Sequence, residues 1–321
     1  MTETELKFQV PPERIAGVQQ AVAAVGAGQV RLRARYFDTP GRHLAQAAMA
    51  LRLRLEGDRW VQTLKGRGDG MFRRLEHEVV LDGTGDIVAA TVPALDLSRH
   101  DGTPAGEALR RALGDQADAL ACRYETDVAR SLGLVRAGPD AATRVELALD
   151  CGEIRAGTAV WPLQELEFEL KDGPAAGLLA LAAEWVDRHG LWLDVRSKAE
   201  RGERLASGRV IGPAHPAVES VVESVDGDDG HALARLLPPL LANLADLIDP
   251  RSAGCDVQAH AQQARIGIER LRCSRAHGST LAARLAELRD ALDADPAVDA
   301  RLRAPAVQRL WLDLIGALAG R

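Results

Sequence analysis

The chain opens with Glu3-Thr4-Glu5-Leu6-Lys7-Phe8, a stretch whose alternation is inverted for an ordinary globular strand. Successive side chains of a strand point to opposite faces, so the three charged residues share one face while Leu6 and Phe8 share the other. The alternation recurs in residues 165–171 and, with basic residues, in residues 51–55. Two acidic strands and one basic strand, each with an apolar reverse face, predict a sheet curled around a charged interior.

Length and composition limit the classes of protein that the chain can be. With 321 residues, 46% of them hydrophobic, the chain is long enough for two domains. A net charge of −6 argues against a general nucleic-acid-binding surface. No signal peptide is apparent, and the apolar runs are too short to cross a bilayer. We therefore expect a cytoplasmic protein with neither nucleic acid nor membrane as partner. The widely spaced cysteines indicate neither a zinc site nor a disulfide framework.

The periodicity of the chain changes near residue 208. Before it, the pattern predicts a helix over residues 12–25, a helix over 178–189, and strands around 51–56, 59–65, 73–81, 123–135, 144–150 and 163–171. Glycines and prolines over residues 208–216 predict a linker. Beyond it, helical spacing predicts a bundle with helices over residues 218–225, 232–247, 259–277, 281–292 and 305–319. We therefore expect an α+β fold, with domains at 1–207 and 217–321.

An ordered series of short motifs covers the first 205 or so residues. It comprises Glu3-x-Glu5-x-Lys7, Tyr36-Phe37-Asp38-Thr39-Pro40, Leu51-Arg52-Leu53-Arg54, Lys65, Arg74-Leu75-Glu76, Arg130, residues 146–152, residues 165–169 and Ser197-Lys198-Ala199-Glu200-Arg201-Gly202. In this order the motifs resemble the CYTH family, the triphosphate tunnel metalloenzymes, and in particular its bacterial inorganic triphosphatases. The resemblance implies a closed or nearly closed antiparallel β-barrel, the tunnel, with outer helices. It also implies metal-dependent hydrolysis of inorganic triphosphate.

The acidic strands are suited to hard divalent cations. Mg²⁺ takes oxygen ligands and usually binds through a few carboxylates together with substrate phosphate oxygens. Acidic alternation in one strand alone favours the solvent-facing side of a two-sided sheet, but the basic strand and the motif order favour a site. The resemblance implies Mg²⁺ or Mn²⁺ as cofactor and assigns metal binding to Glu3, Glu5, Asp150, Glu165 and Glu167.

The basic residues are suited to phosphate. Arg52 and Arg54 share a face, and planar guanidinium groups bind phosphate oxygens with two hydrogen bonds. Surface solvation, or ion pairs with facing carboxylates, is the alternative. The resemblance implies that Arg52, Arg54 and Lys65 act in catalysis. It also implies a larger substrate-binding set: Lys7, Arg52, Arg54, Lys65, Arg130, Lys198 and Arg201, the last of which could brace the carboxylates instead.

Phosphoryl transfer asks the protein mainly for positioning and charge neutralisation. Ser131 and Ser197 lack a neighbouring His–Asp pattern, so direct attack by water is the economical mechanism. One metal would hold the triphosphate together with the basic residues. A second metal, near Asp150 and Glu165, would orient the water and lower its pKa.

The tail carries a weaker motif. Residues 265–272 resemble the first signature helix of CHAD domains, with Gln262 where that family has histidine and Glu269 where it has arginine. The remaining length predicts a partial, degenerate CHAD domain, which either binds polyphosphate or only packs against the first domain.

Three further functions remain open from the sequence. Within the same fold the substrate could be another triphosphate-bearing small molecule, as in a thiamine triphosphatase or a class IV adenylate cyclase. From a different class, the protein could bind polyphosphate or a nucleotide without catalysis. Intact carboxylate positions favour the enzyme.

Overall fold

The computed structural model describes residues 4–67, 74–84, 91–217, 229–273, 279–294 and 298–319. The strands are β1 (Glu5–Gln9), β2 (Gly26–Asp38), β3 (Ala50–Glu56), β4 (Arg59–Arg67), β5 (Arg74–Thr84), β6 (Ala121–Ala137), β7 (Thr143–Ala156), β8 (Ala159–Asp172) and β9 (Trp192–Leu193). The helices are α1 (Ile15–Ala24), α2 (His43–Gln46), α3 (Pro104–Leu113), α4 (Ala175–His189), α5 (Lys198–Ala206), α6 (Asp229–Ile248), α7 (Gln258–Cys273), α8 (Ser279–Ala294), α9 (Val298–Arg303) and α10 (Pro305–Ala319). None of these helices combines the length and the apolarity that crossing a bilayer needs.

All nine strands form one antiparallel sheet in the order β5-β4-β3-β2-β6-β7-β8-β1-β9. The antiparallel sheet with outer helices is therefore confirmed, whereas the closed barrel is not. In the described strands hydrogen bonds do not close the sheet, because β5 pairs only with β4 at one end. At the other end β9 offers only two residues, which pair with β1.

The register collects the charged side chains on one face of the sheet. Lys7 pairs with Glu167, Asp150 with Glu165, and Arg130 with Asp150. Further along the sheet, Tyr36 pairs with Arg52 and Lys65 with Glu76. Residues directly opposite each other in antiparallel strands point the same way, so these rows form a continuous surface, which we call the charged face.

The reverse face of the sheet is apolar where helices cover it. On β1, β7 and β8 it presents Phe8, Leu147 and Phe168, which pack in one core with Trp185 of α4. The rings of Phe168 and Trp185 meet edge to face, with centroids 5.8 Å apart. On β3 and β4 a separate cluster packs against α2 and α3. On these strands the covering helices thus leave the opposite face for the charged residues.

The tail helices share the core of the sheet. Helices α6, α7, α8 and α10 cover most of the segments in which helical spacing was found; the helix expected over residues 218–225 lies outside the described residues. Leucines of α6 and α10 belong to the same buried cluster as Phe8 and Phe168. Hydrogen bonds also join the end of the linker to α6 and α7. His215 N donates to Asn243 Oδ1 at 2.9 Å, and Ala217 N donates to Gln263 Oε1 at 2.8 Å. The boundary at 207/217 stays a prediction.

Candidate active site on the charged face

Helix α5 lies against the charged face and brings two cations to it. Ser197 caps the helix by accepting a hydrogen bond from Glu200 N at 3.0 Å, which fixes where the first turn starts. Gly202 lies so close to Tyr124 that a Cβ there would be 2.2 Å from the ring. Only glycine therefore allows α5 to approach β6 this closely, with Lys198 and Arg201 directed at the carboxylates of β7 and β8.

Three carboxylates meet beneath α5. Asp150 on β7 and Glu165 and Glu167 on β8 each offer an oxygen within 4.8 Å of the other two, the one group of possible metal ligands among the described residues. The side chains of Asp150 and Glu165 are fully buried, and that of Glu167 is 17% exposed. Fully buried carboxylates are rare without partners, so their neighbours decide what this cluster can do.

Arg130 holds two members of this carboxylate cluster together. Its Nε and Nη2 donate to the two oxygens of Asp150, each at 2.7 Å, in the bidentate geometry that arginine favours. Nη2 also donates to Glu167 Oε2 at 2.7 Å. Although burial alone would lower the pKa of Arg130, Glu167 and Asp150 overcome it and raise that pKa. Arg130 is therefore permanently charged and fixed in place.

Lys198 and Arg201 complete the neutralisation from α5. The Lys198 ammonium lies 2.7 Å from Asp150 Oδ2 and 3.1 Å from Glu167 Oε1, and it also contacts Glu165. Arg201 pairs with Glu165 through Nη2. Burial would raise the pKa values of Glu165 and Glu167, but the neighbouring cations outweigh it and hold both below the ordinary value. Both carboxyls are therefore ionised at neutral pH.

The cluster has the donor chemistry of a divalent-cation site. Its oxygen atoms are the ligands that Mg²⁺ and Mn²⁺ prefer, so the residues present fit such an ion. A bound cation would compete with the ammonium of Lys198 and the guanidinium of Arg130, because they contact the same oxygens.

The basic residues of β3 and β4 lie on the other half of the charged face. Arg52 Nη1 donates to Tyr36 Oη at 3.4 Å, and its Nη2 lies 3.6 Å from Glu78 Oε1. Arg54 pairs with Glu56, and Lys65 Nζ lies 2.8 Å from Glu76 Oε1. The Nε of Arg52 is buried without a hydrogen-bond partner. An unpaired buried donor costs free energy.

The structure distributes the expected site residues unevenly. It brings Asp150, Glu165 and Glu167 together; Glu5 instead faces Glu169 across β1 and β8, outside that cluster. Glu3 lies outside the described residues. The expected phosphate ligands divide into two sets: Arg52, Arg54 and Lys65 on β3 and β4, and Lys7, Arg130, Lys198 and Arg201 among the carboxylates.

Sequence patterns had assigned no role to some residues of the charged face. Tyr36, Glu76 and Glu78 contact the basic residues, and strand alternation in each motif could have placed them on the same face. Asp194 and Arg196, immediately before Ser197, form a buried bidentate ion pair. The alternation of Asp194, Val195 and Arg196 could have indicated that the two charged side chains lie on the same side of the chain.

Comparison with known proteins gives matches for the region that contains this site. Residues 1–202 match the family model of the CYTH domain. An inorganic triphosphatase from Haemophilus influenzae is 27% identical over 220 residues, which cover 66% of this chain and 57% of that protein. The chain thus matches a little over half the length of that curated relative.

Solved structures show weaker likeness. A Hippeastrum protein described as an adenylyl cyclase with a dominant triphosphatase activity is 18% identical, with a TM-score of 0.45, over 65% of this chain and 97% of that one. A Bacillus halodurans protein described as an adenylate cyclase is 19% identical, with a TM-score of 0.42, over 62% of this chain and 96% of that one.

Proposed function

Because this chain belongs to the CYTH family, we propose that it hydrolyses inorganic triphosphate to diphosphate and phosphate with the help of a divalent cation. The observation that carries the proposal is the division of the charged face. Three clustered carboxylates lie on β7 and β8, and three basic side chains lie on β3 and β4 of the same sheet. A metal-bound polyanion needs both.

In this proposal each half of the face has its own task. Asp150, Glu165 and Glu167 hold one cation, and in the proposal Glu5 and Glu3 serve a second metal rather than this cluster. When bound, Mg²⁺ or Mn²⁺ would neutralise phosphate charge and lower the pKa of a bound water. Arg52, Arg54 and Lys65 bind the phosphate chain and stabilise the charge that develops on its oxygens.

The cations of the acidic half have a second role in the proposal. Lys198 and Arg130 keep the carboxylates ionised and close together, which preserves their negative charge for a metal. Lys7 and Arg201 likewise lower the pKa of Glu165 and keep it ionised. In the proposal, Lys7, Arg130 and Lys198 also bind a substrate that lies along the charged face, whereas Arg201, whose side chain is 1% exposed, braces Glu165. Water is the nucleophile.

We further propose that the tail is a partial CHAD-like domain that packs against the first domain and does not bind polyphosphate. Its signature arginines bond within the tail: Arg265 Nη2 donates to Leu292 O at 3.0 Å and Arg270 Nη1 to Ala217 O at 3.2 Å. Arg272 pairs with Glu269. Guanidiniums with protein partners leave less capacity for polyphosphate, so triphosphate at the first domain is the better substrate.

The test is a phosphate-release assay on the full chain. Triphosphate should be hydrolysed with Mg²⁺ or Mn²⁺, and EDTA should stop the reaction. ATP, thiamine triphosphate and long polyphosphate serve as competing substrates in parallel reactions. Faster turnover of one of these would reassign the substrate within the fold, and metal-independent hydrolysis of triphosphate would overturn the proposed site.

A further inference from the structure

A second group of buried charges lies behind the carboxylate cluster, where α6 of the tail meets the segment before α5. Arg196 makes a bidentate pair with Asp194, with Nε–Oδ1 at 3.0 Å and Nη2–Oδ2 at 2.9 Å. The same guanidinium lies 3.0 Å from Asp246 Oδ1 and 2.9 Å from Asp249 Oδ2. Asp246 is a residue of α6 and is fully buried.

Asp246 also contacts α5 itself. Arg204, near the end of α5, donates to the same oxygen of Asp246 that accepts from Arg196. Arg201 lies three residues before Arg204, hence about one helical turn away, and Lys198 lies a further turn back. One carboxylate of the tail thus contacts the helix whose other polar side chains hold the active-site carboxylates.

A second connection runs through Asp194. Its backbone N–H donates to Lys7 O at 3.0 Å, which ties this segment to β1. Burial would raise the pKa of the Asp194 carboxyl, but Arg196, Arg201 and Lys7 outweigh it and lower that pKa. Asp194 therefore faces the charges of the active site on one side and the tail network on the other.

We propose that Asp246 is a positioning residue for the active site, fixing Arg204 and Arg196 so that α5 holds Lys198 and Arg201 against Glu165. The inference rests on the proposed function, because it assigns to the tail a part in that reaction. It differs from a merely supporting tail, which would cover the apolar face and leave the chemistry unchanged.

Asp246→Asn in the full chain tests this role. The variant is expected to fold, because Arg196 keeps Asp194 and Arg204 keeps Glu200 as partners. Loss of a charge behind a metal-binding set should reduce Mn²⁺ affinity and kcat by about tenfold each. KM for triphosphate should change less than kcat, because Arg52, Arg54 and Lys65, the main phosphate ligands of the proposal, lie on β3 and β4 and not on α5. Asp246→Glu should restore most of both losses.

Asp187→Asn is the matched control. It removes a tail contact of the same chemistry, the exposed pair between Asp187 and Arg309 at 2.8 Å, without touching α5. Its Mn²⁺ affinity, kcat and KM should equal those of the wild type. If Asp246→Asn does not fold, Arg204→Lys, which keeps the buried charge, decides by the same readouts.

A folded Asp246→Asn protein with wild-type kcat and Mn²⁺ affinity would overturn the inference. So would loss of folding in both Asp246→Asn and Arg204→Lys, since the network would then serve folding alone. Mn²⁺ binding is measured by titration without substrate. A wild-type protein that binds Mn²⁺ but hydrolyses no triphosphate would therefore refute the proposed function while the variants still decide the role of Asp246.

Discussion

The two halves of the charged face satisfy their charges differently. In the acidic half, Asp150 and Glu165 are fully buried and their oxygens accept from Arg130, Lys198 and Arg201. In the basic half, the pairs are longer or more exposed: Arg52 lies 3.6 Å from a Glu78 side chain that is 42% exposed. The protein neutralises its carboxylates from within and leaves its guanidiniums only partly paired.

The difference shows which half is neutralised by the protein itself and which half requires a bound ligand to complete its pairing. Burying a charge costs several kcal/mol unless it is paired, so the acidic half must carry its own cations to fold at all. The basic half is closer to solvent, so its cations tolerate incomplete pairing. A bound polyanion would complete their hydrogen bonds. The acidic half should therefore govern stability and metal dependence, and the basic half should govern substrate affinity.

Removing one carboxylate of the acidic half should have the largest effect. We expect Glu167→Gln to lower kcat by about 100-fold or more, since ~3 kcal/mol of lost transition-state stabilisation corresponds to two factors of ten. Glu167 is chosen because its side chain is 17% exposed, so the fold should tolerate the change better than at Glu165. Steady-state phosphate release measures kcat, and a thermal melt measures whether the variant keeps its stability.

Asp127→Asn is the control for this variant. Asp127 pairs with Arg31 at 2.6 Å on the opposite, solvent-facing side of β2 and β6. Its removal should leave kcat unchanged. Equal activity of Glu167→Gln and wild type, with both folded, would show that the carboxylate cluster is a structural ion network and no metal site.

Truncating an arginine of the basic half should have the next largest effect, on affinity rather than on metal dependence. Arg52→Ala should lower kcat/KM by about 10- to 100-fold, since a charge-assisted hydrogen bond contributes roughly 1.5–3 kcal/mol. Arg35→Ala serves as control, because Arg35 pairs with Glu125 on the outer face of β2. A larger change in the Mn²⁺ activation constant than in KM would contradict the division of tasks.

Acid should weaken the acidic half selectively. Burial would raise the folded-state pKa values of Glu165 and Glu167, but the neighbouring cations keep both below the ordinary 4.5. The stabilisation is therefore complete above that value and is lost as the pH falls below it, by about 1.4 kcal/mol per group and pH unit. Thermal melts between pH 7 and 3 should show a smaller acid loss in Glu167→Gln than in wild type. Identical slopes would refute the assignment.

The sequence was sufficient to predict the antiparallel sheet with its charged face, because alternation has a fixed period of two and needs no tertiary information. The family resemblance placed Asp150, Glu165 and Glu167 in one metal-binding set, but that set also included Glu5, which lies outside the cluster. The sequence did not reveal that Lys198 and Arg130 pair with those carboxylates, since strand register and the close approach at Gly202 arise from tertiary packing. Nor could it show that Asp246, in a region of plain helical periodicity, contacts Arg204.

The smallest expected effect has the opposite sign and distinguishes the halves most directly. Glu78→Gln makes the same chemical change as Glu167→Gln, but beside Arg52 and Arg54, whose Nη2 atoms lie 3.6 Å and 3.8 Å from Glu78 Oε1. Removing this competing carboxylate should leave Arg52 with Tyr36 and Arg54 with Glu56 as their remaining partners, and should lower KM for triphosphate. Pairs this exposed contribute about 0.2–1 kcal/mol, so the gain should be no more than about fivefold. Substrate titration at saturating Mn²⁺ measures it. A rise in KM would mean that Glu78 orients the arginines for the phosphates rather than competing with them.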